Sequence, residues 1–186
     1  MGVESGSQIV LDAMDKGITL DQVATARERL RLAGIRACFF LQFGYPGETW
    51  TELQQTISLV RRLRPDDIGI SFSYPLPGTV FYERVQSQLG VKRNWTESND
   101  LCIMFNAAYT TDFYRAVRDA LHAEVNSWTE SEPEPNEIDS MWQIVEHMES
   151  SSRVSDPCVW GPDLDLASSP MFVSVESLIS STGSRQ

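Results

Sequence analysis

An α/β fold with parallel strands is what this sequence predicts, and three observations carry the prediction. Strand-patterned and helix-patterned segments alternate over residues 1–85. A strand–helix–strand unit is completed within about 40 residues, the length of a right-handed parallel crossover. The segment 35–43 (Ile-Arg-Ala-Cys-Phe-Phe-Leu-Gln-Phe) is too apolar to leave one face in water, as strands covered on both sides are.

Each element has its own local reason. Gln8 to Lys16 carries Ile9, Val10, Ala13 and Met14 and meets a helix stop at Gly17. Thr19 and Gln22 form a capping box for a second helix, which carries Leu20, Val23, Ala24, Ala26, Leu30 and Leu32 and ends at Gly34. The apolar strand from Ile35 to Phe43 follows, and Gly44-Tyr45-Pro46-Gly47 turns the chain. Thr49 and Glu52 make another capping box. The helix after them buries Leu53, Thr56, Ile57, Val60 and Leu63, while Arg61, Arg62 and Arg64 suit its C-terminal end. Pro65-Asp66-Asp67 breaks it, Ile68 to Tyr74 is the next strand, and Pro75 to Thr79 is a second Gly/Pro turn. Beyond it, Trp95, Leu101, Ile103, Met104 and Phe105 predict a strand or packing segment, and Phe113 to Glu124 a helix. Ile138, Met141, Trp142, Val145 and Met148 recur at helical spacing and predict a helix near 137–150 that docks on the rest.

Composition bounds the function. The chain has 186 residues with 15 Lys and Arg against 26 Asp and Glu, a net charge of −11. Phosphate-backbone binding depends on clustered cations, so no nucleic-acid partner is expected. No run reaches the roughly 20 apolar residues of a membrane span, and the first residues lack the basic and apolar regions of a signal peptide. A cytoplasmic location and no membrane partner are the expectation. Cys38, Cys102 and Cys158 are odd in number and form no C-x-x-C pair, which excludes a disulfide framework and a self-contained zinc site. His122 and His147 stand on helices without a second His or Cys at i±3 or i±4. No G-x-G-x-x-G follows a strand, so a dinucleotide-binding domain is excluded too.

The charge is uneven. Residues 1–125 hold 13 basic and 15 acidic residues, whereas 126–186 hold 2 basic (Arg153, Arg185) and 11 acidic, with 14 serines and a Glu132-Pro133-Glu134-Pro135 stretch. Three regions are therefore expected: an α/β part over 1–90, an extension over 91–125, and an acidic Ser/Pro-rich tail over 126–186. The tail is expected to be mostly disordered apart from its one helix, with Met171-Phe172-Val173 as a possible short strand.

Ligands in parallel α/β folds bind at the carboxyl ends of strands, which singles out 44–48 and 75–79. Both turns carry glycine and proline where a strand hands over to a helix. Gly2-Val3-Glu4-Ser5-Gly6-Ser7-Gln8 has the same character, a strand end running into a glycine- and serine-rich helix start. Almost no strand precedes it, so Met1 reads as an internal methionine and the sequence as truncated.

Those residues resemble a known family. Gly2 to Gln8, then Val10-Leu11-Asp12-Ala13-Met14-Asp15-Lys16-Gly17-Ile18-Thr19, is similar to the "G-x-E-S-G-S, then V-L-x-x-M-x-K-G-x-T" stretch of radical S-adenosylmethionine (SAM) enzymes. Phe43 to Thr49 resembles their "G-x-P-G-E-T" turn, and Tyr74 to Tyr82 their "P-x-P-G-T-x-x-Y" segment. The order and spacing of the three motifs are together specific, closely over about 1–85 and more loosely to about 125. The likeness is nearest to members that carry a cobalamin-binding domain ahead of the radical SAM barrel.

The resemblance implies a partial radical SAM (β/α) barrel over 1–90, entered near its fourth strand, with a helical extension behind it. It implies SAM as cofactor, contacted by Glu4, Ser5 and Ser7 and by the backbone of Gly44, Pro46 and Gly47; Lys16 is read as a solvated lysine at a helix end, with reach to the SAM carboxylate as the alternative. A carboxylate suits ribose because its oxygens accept from vicinal hydroxyls. The ordinary alternative for Ser5 or Ser7 is capping of the helix that starts at Gln8. Glu48 is expected at the N-terminus of the following helix, where negative charge is favourable. A [4Fe–4S] cluster and cobalamin belong to the full-length family, yet the C-x-x-x-C-x-x-C loop that holds the cluster is missing here. The implied function is the C-terminal part of a cobalamin-type radical SAM enzyme acting on a small molecule, inactive alone, whose partners are the amino-terminal barrel half and cobalamin domain. The alternative is a stand-alone α/β ligand-binding or interaction module without radical chemistry.

Overall fold

A computed structural model describes residues 1–89, 102–129, 134–155 and 157. Its elements are β1 (Gly2–Glu4), α1 (Gln8–Ala13), α2 (Leu20–Leu32), β2 (Cys38–Phe43), α3 (Trp50–Leu63), β3 (Asp67–Phe72), α4 (Val80–Val85), a 3₁₀ turn (Gln86–Gln88), α5 (Thr111–Asn126) and α6 (Pro135–Ser151). Capping chemistry sets several boundaries. The Gln22 amide N–H donates to the Thr19 hydroxyl while the Gln22 side chain accepts the Thr19 N–H, so α2 begins with a complete capping box. The Glu52 carboxylate accepts the Thr49 N–H at the start of α3, and the Thr79 hydroxyl accepts the Tyr82 N–H at the start of α4.

The strands form one parallel sheet in the order β1–β2–β3, so the described residues make an α/β unit with an open sheet and no closed barrel. β2 is central and runs in register with β3, Cys38 opposite Asp67 through Phe43 opposite Phe72. It starts three residues later than its apolar run. Ile35 is exposed, and the Ala37 N–H leaves the ladder to donate to Asp66 Oδ2 at 2.7 Å.

The two sheet faces differ. Phe39, Leu41 and Phe43 are buried against Leu53, Ile57 and Val60 of α3 and against Phe113, Tyr114 and Val117 of α5. The alternate residues Cys38, Phe40 and Gln42 point to the other face, where Phe40 is 57% exposed in the middle of the central strand. Its ring lies over Gly69, at which an added Cβ would stand 3.1 Å from Phe40 Cδ1. Among the described residues no helix layer covers that face.

Arg27 joins α2 to the end of α3. Only 7% exposed, it donates to the carbonyls of Leu63 and Arg64 at 3.3 and 2.6 Å and pairs with Asp66 at 3.3 Å. It thereby satisfies carbonyls that the helix end leaves without partners.

The expected helix of the acidic region is α6, and it docks on α5. Val145 is fully buried, Trp142 Nε1 donates to Glu124 at 2.8 Å, and the Tyr109 hydroxyl donates to Glu149 at 2.7 Å. A single bridge joins Tyr109 to Arg153, so order continues past the end of α6. The segment 102–110 otherwise forms no strand. Trp95, Leu101, Cys158, Met171 to Val173 and the rest of the expected disordered tail from 158 to 186 lie outside the described residues. No helix of the described residues is long and apolar enough to cross a membrane.

Candidate functional site

The carboxyl ends of the three strands open onto one cleft of about 620 Å³. Each end contributes: Glu4 from β1, Gln42 from β2, Tyr74 from the segment after β3. Tyr45, in the turn after β2, holds the walls together. Its hydroxyl donates to the Ala13 carbonyl at the end of α1 at 2.9 Å, and its ring lies 5.3 Å from that of Phe81 on α4.

Glu4 is set by an unusual backbone. It has φ 62°, a left-handed conformation that only the surrounding structure sustains in a residue with a Cβ, and the β1–β2 register shifts between Gly2 and Glu4. The carboxylate accepts from Lys16 Nζ at 2.7 Å, so the lysine past α1 meets the acid of the first turn at the rim of the cleft.

Ser5 and Ser7 turn the other way. The Ser5 hydroxyl lies 3.2 Å from Thr56 Oγ1 on α3 and accepts the Ser7 N–H, while Thr56 Oγ1 also accepts the Gly6 N–H at 2.8 Å. Ser7 occupies the N-cap position of α1, but its hydroxyl makes no cap bond; it is 1% exposed and has no hydrogen-bond partner among the described residues. Gly6 between them is held against α3 so closely that a Cβ would stand 2.5 Å from the Thr56 Cα. Of the three side chains singled out in this turn, Glu4 lines the cleft and the two serines lie behind it.

Gly44, Pro46 and Gly47 shape the second turn from behind Tyr45, and Gly44 and Pro46 are buried. Gly44 has φ 78°, and a Cβ there would meet Ile103 Cδ1 at 2.7 Å and the Tyr114 ring at 3.4 Å, so only glycine fits. Glu48 stands just ahead of α3, as the sequence reading places it, and the fold buries it. It is fully buried, its Oε2 accepts the Gly44 N–H at 2.6 Å, and Oε1 has no partner among the described residues. Burial pushes its carboxyl up to about 8, a bias reinforced by Glu52 and opposed by the Gly44 hydrogen bond. Beside it, burial and the nearby Glu48 hold the Tyr114 hydroxyl well above the usual phenol range. Spacing gave no signal for this: a Glu at a helix start is ordinarily exposed.

The described residues do not fit an iron–sulfur cluster. No three Cys, His, Asp or Glu side chains among them converge. Cys38 stands at the amino end of β2, away from the cleft, and partial burial and Asp67 push its thiol up, away from the thiolate such a ligand needs. Cys102 lies before α5 with its Sγ 3.8 Å from the Thr111 hydroxyl. The cleft offers the Glu4 carboxylate and the Lys16 ammonium, paired with each other, and the aromatic side chains of Tyr45, Tyr74 and Phe81. Arg84, on α4, also lines it and was missed in the sequence, where nothing marks one helical arginine from another.

No family model matches the chain. Among curated proteins, it is 32% identical over 95 residues to an uncharacterized methyltransferase of Pyrococcus horikoshii, covering 50% of the chain and 21% of that protein. It is 40% identical over 87 residues to the tRNA-2-methylthio-N(6)-dimethylallyladenosine synthase of Paracoccus denitrificans, covering 44% and 19% respectively. The synthase of the same name from Syntrophotalea carbinolica is 39% identical over 79 residues, 41% of the chain and 18% of that protein. The matched stretch thus spans about a fifth of these relatives' length. These relatives point to the radical SAM superfamily.

Proposed function

We propose that this chain supplies part of the SAM-facing wall of a radical SAM enzyme acting on a small molecule. The observation that carries the reading is the convergence of the three motif-bearing strand ends on one cleft, with Glu4 in a left-handed backbone at its rim. In this reading Glu4 accepts from the SAM ribose, and Lys16, already 2.7 Å away, balances its charge and reaches the SAM carboxylate. Gly44, Pro46 and Gly47 act through the turn that places Tyr45, and Ser5 and Ser7 through the contact with Thr56 that fixes the Glu4 backbone. The cluster that reduces SAM in the family is supplied by polypeptide other than the described residues, and so is the covering for the exposed Phe40 face. That covering is the amino-terminal half of the barrel, because parallel sheets are covered on both faces. What the relatives support is the superfamily; the cobalamin subtype rests on the motif resemblance alone.

One observation favours the alternative of a stand-alone α/β ligand-binding module: a continuous core runs from Val3 through β2, α3 and α5 to Val145. The two readings separate on ligand chemistry. Titrating the full chain with S-adenosylhomocysteine, followed by amide chemical shifts, is expected to show weak binding that perturbs residues 2–16 and 42–47. Glu4→Gln should weaken it roughly tenfold, the loss of one charge-assisted hydrogen bond. Shifts that leave those residues untouched, or an unchanged affinity in Glu4→Gln, would remove SAM from this cleft.

A further inference from the structure

We propose that Arg84 is an anion-recognition residue of the cleft, receiving the phosphate or carboxylate of an aromatic substrate. The inference rests on the cleft being the ligand site, and adds to it a group outside the three motif segments. Two cations line this cleft, and they differ in one respect. Lys16 is paired with Glu4 at 2.7 Å, whereas among the described residues Arg84 has no carboxylate partner and its Nε–H is buried without a hydrogen-bond partner. A guanidinium carries five donors and cannot shed its proton; its Nε is sealed from the cleft, so an incoming anion would be met by the terminal nitrogens of an arginine that lines the wall without a carboxylate partner among the described residues.

Geometry favours a planar ligand. Phe81 and Arg84 stand three residues apart on α4, so they share a helix face, and the half-buried Phe81 ring already meets the Tyr45 ring and, edge-on, the Phe105 ring. An aromatic group against Phe81 would place its anionic substituent at the arginine fork, the bidentate geometry that suits carboxylate and phosphate. The acids of the cleft lie elsewhere on its rim: Glu4 is taken by Lys16, Asp12 accepts from Gln8 Nε2 at 2.8 Å, and Asp15 follows α1. They repel an anion from the α1 wall and leave α4 as its place.

The test uses the full chain and four probes: benzoate, its neutral isostere benzamide, phenyl phosphate and inorganic phosphate. The Arg84 side-chain Nε–H resonance, assigned by its loss in Arg84→Lys, is the readout. Benzoate and phenyl phosphate are expected to shift it and to bind at least tenfold more tightly than benzamide, and Arg84→Lys to abolish that preference. Benzoate against phenyl phosphate then tells which anion the site prefers, and inorganic phosphate binding as tightly as phenyl phosphate would remove the aromatic requirement and overturn the assignment. Equal binding of benzoate and benzamide would overturn it on the wild-type chain alone, whatever the variant's stability. An Arg84→Lys loss confined to S-adenosylhomocysteine would overturn it as well, since the anion would then be the cofactor's. S-adenosylhomocysteine binding that depends on Glu4, with no benzoate effect, would leave the SAM reading standing and sink this one. Benzoate binding through Arg84 with no S-adenosylhomocysteine binding would do the reverse.

Discussion

Replacing Glu48 by Gln should make the pH dependence of stability visibly different from that of the native chain. Glu48 is buried beneath the Gly44–Gly47 turn, with one oxygen bonded to the Gly44 N–H and the other without a partner. Burial holds its carboxyl at about 8, against 4.5 for the ordinary acid. As pH rises above 4.5 the unfolded chain ionises this group while the folded chain keeps it protonated. Its contribution is therefore full below pH 4.5, falls through the window up to about 8, and is lost above it. Over the whole window the change amounts to about 5 kcal/mol, less whatever water relieves. Gln keeps the acceptor for Gly44 and titrates nowhere. The groups facing Glu48 are Glu52 on α3, Tyr114 on α5 and, through Tyr114, Tyr109 just before α5, which is held near 12 and stays neutral here. Urea unfolding followed by tryptophan fluorescence from pH 5 to pH 9 measures both chains. The expected result is a Gln variant about 1 kcal/mol less stable at pH 5 and about 2–4 kcal/mol more stable at pH 9. Parallel curves across that range would show that Glu48 titrates as an ordinary surface acid and would refute the reasoning.

Gly6→Ala is expected to cost about 3 kcal/mol, because the new methyl meets helix backbone at 2.5–2.6 Å rather than a flexible side chain; a denaturant midpoint equal to the native one would contradict this. Arg27→Ala strips partners from the α3 terminus and leaves Asp66 without its ion pair, so a loss of about 2–4 kcal/mol is expected. Arg27→Lys should recover only part of it, since an ammonium cannot span both carbonyls and the carboxylate; chemical denaturation of both variants checks the order. Phe40→Gln should leave stability within about 0.5 kcal/mol while lowering self-association by light scattering, as expected of an apolar ring on an uncovered sheet face. Unchanged scattering would show that the face is already covered.

Much of this architecture was legible in the residues themselves. The capping boxes at Thr19 and Thr49, the apolar runs of the strands, the Gly/Pro turns after them and the apolar stripe of α6 each act over a few residues, and their period and spacing determine local structure. The motif resemblance likewise located the strand ends that meet in the cleft. Tertiary structure decided which polar groups of those turns face a ligand and which face the core. Ser5 is satisfied by Thr56, 51 positions away, so it turns inward and takes the Ser7 N–H with it, and the Ser7 hydroxyl is buried without a cap bond. Glu48 is buried because α5 brings Tyr114 over the turn, and Arg27 because the end of α3 needs donors that only its guanidinium reaches. Arg84 is set apart from the chain's other arginines by a cleft wall that exists only once three strand ends and two helices have met. Local periodicity encodes a helix or a strand; the direction of one hydroxyl, carboxyl or guanidinium depends on contacts between distant segments, which no single stretch of sequence contains.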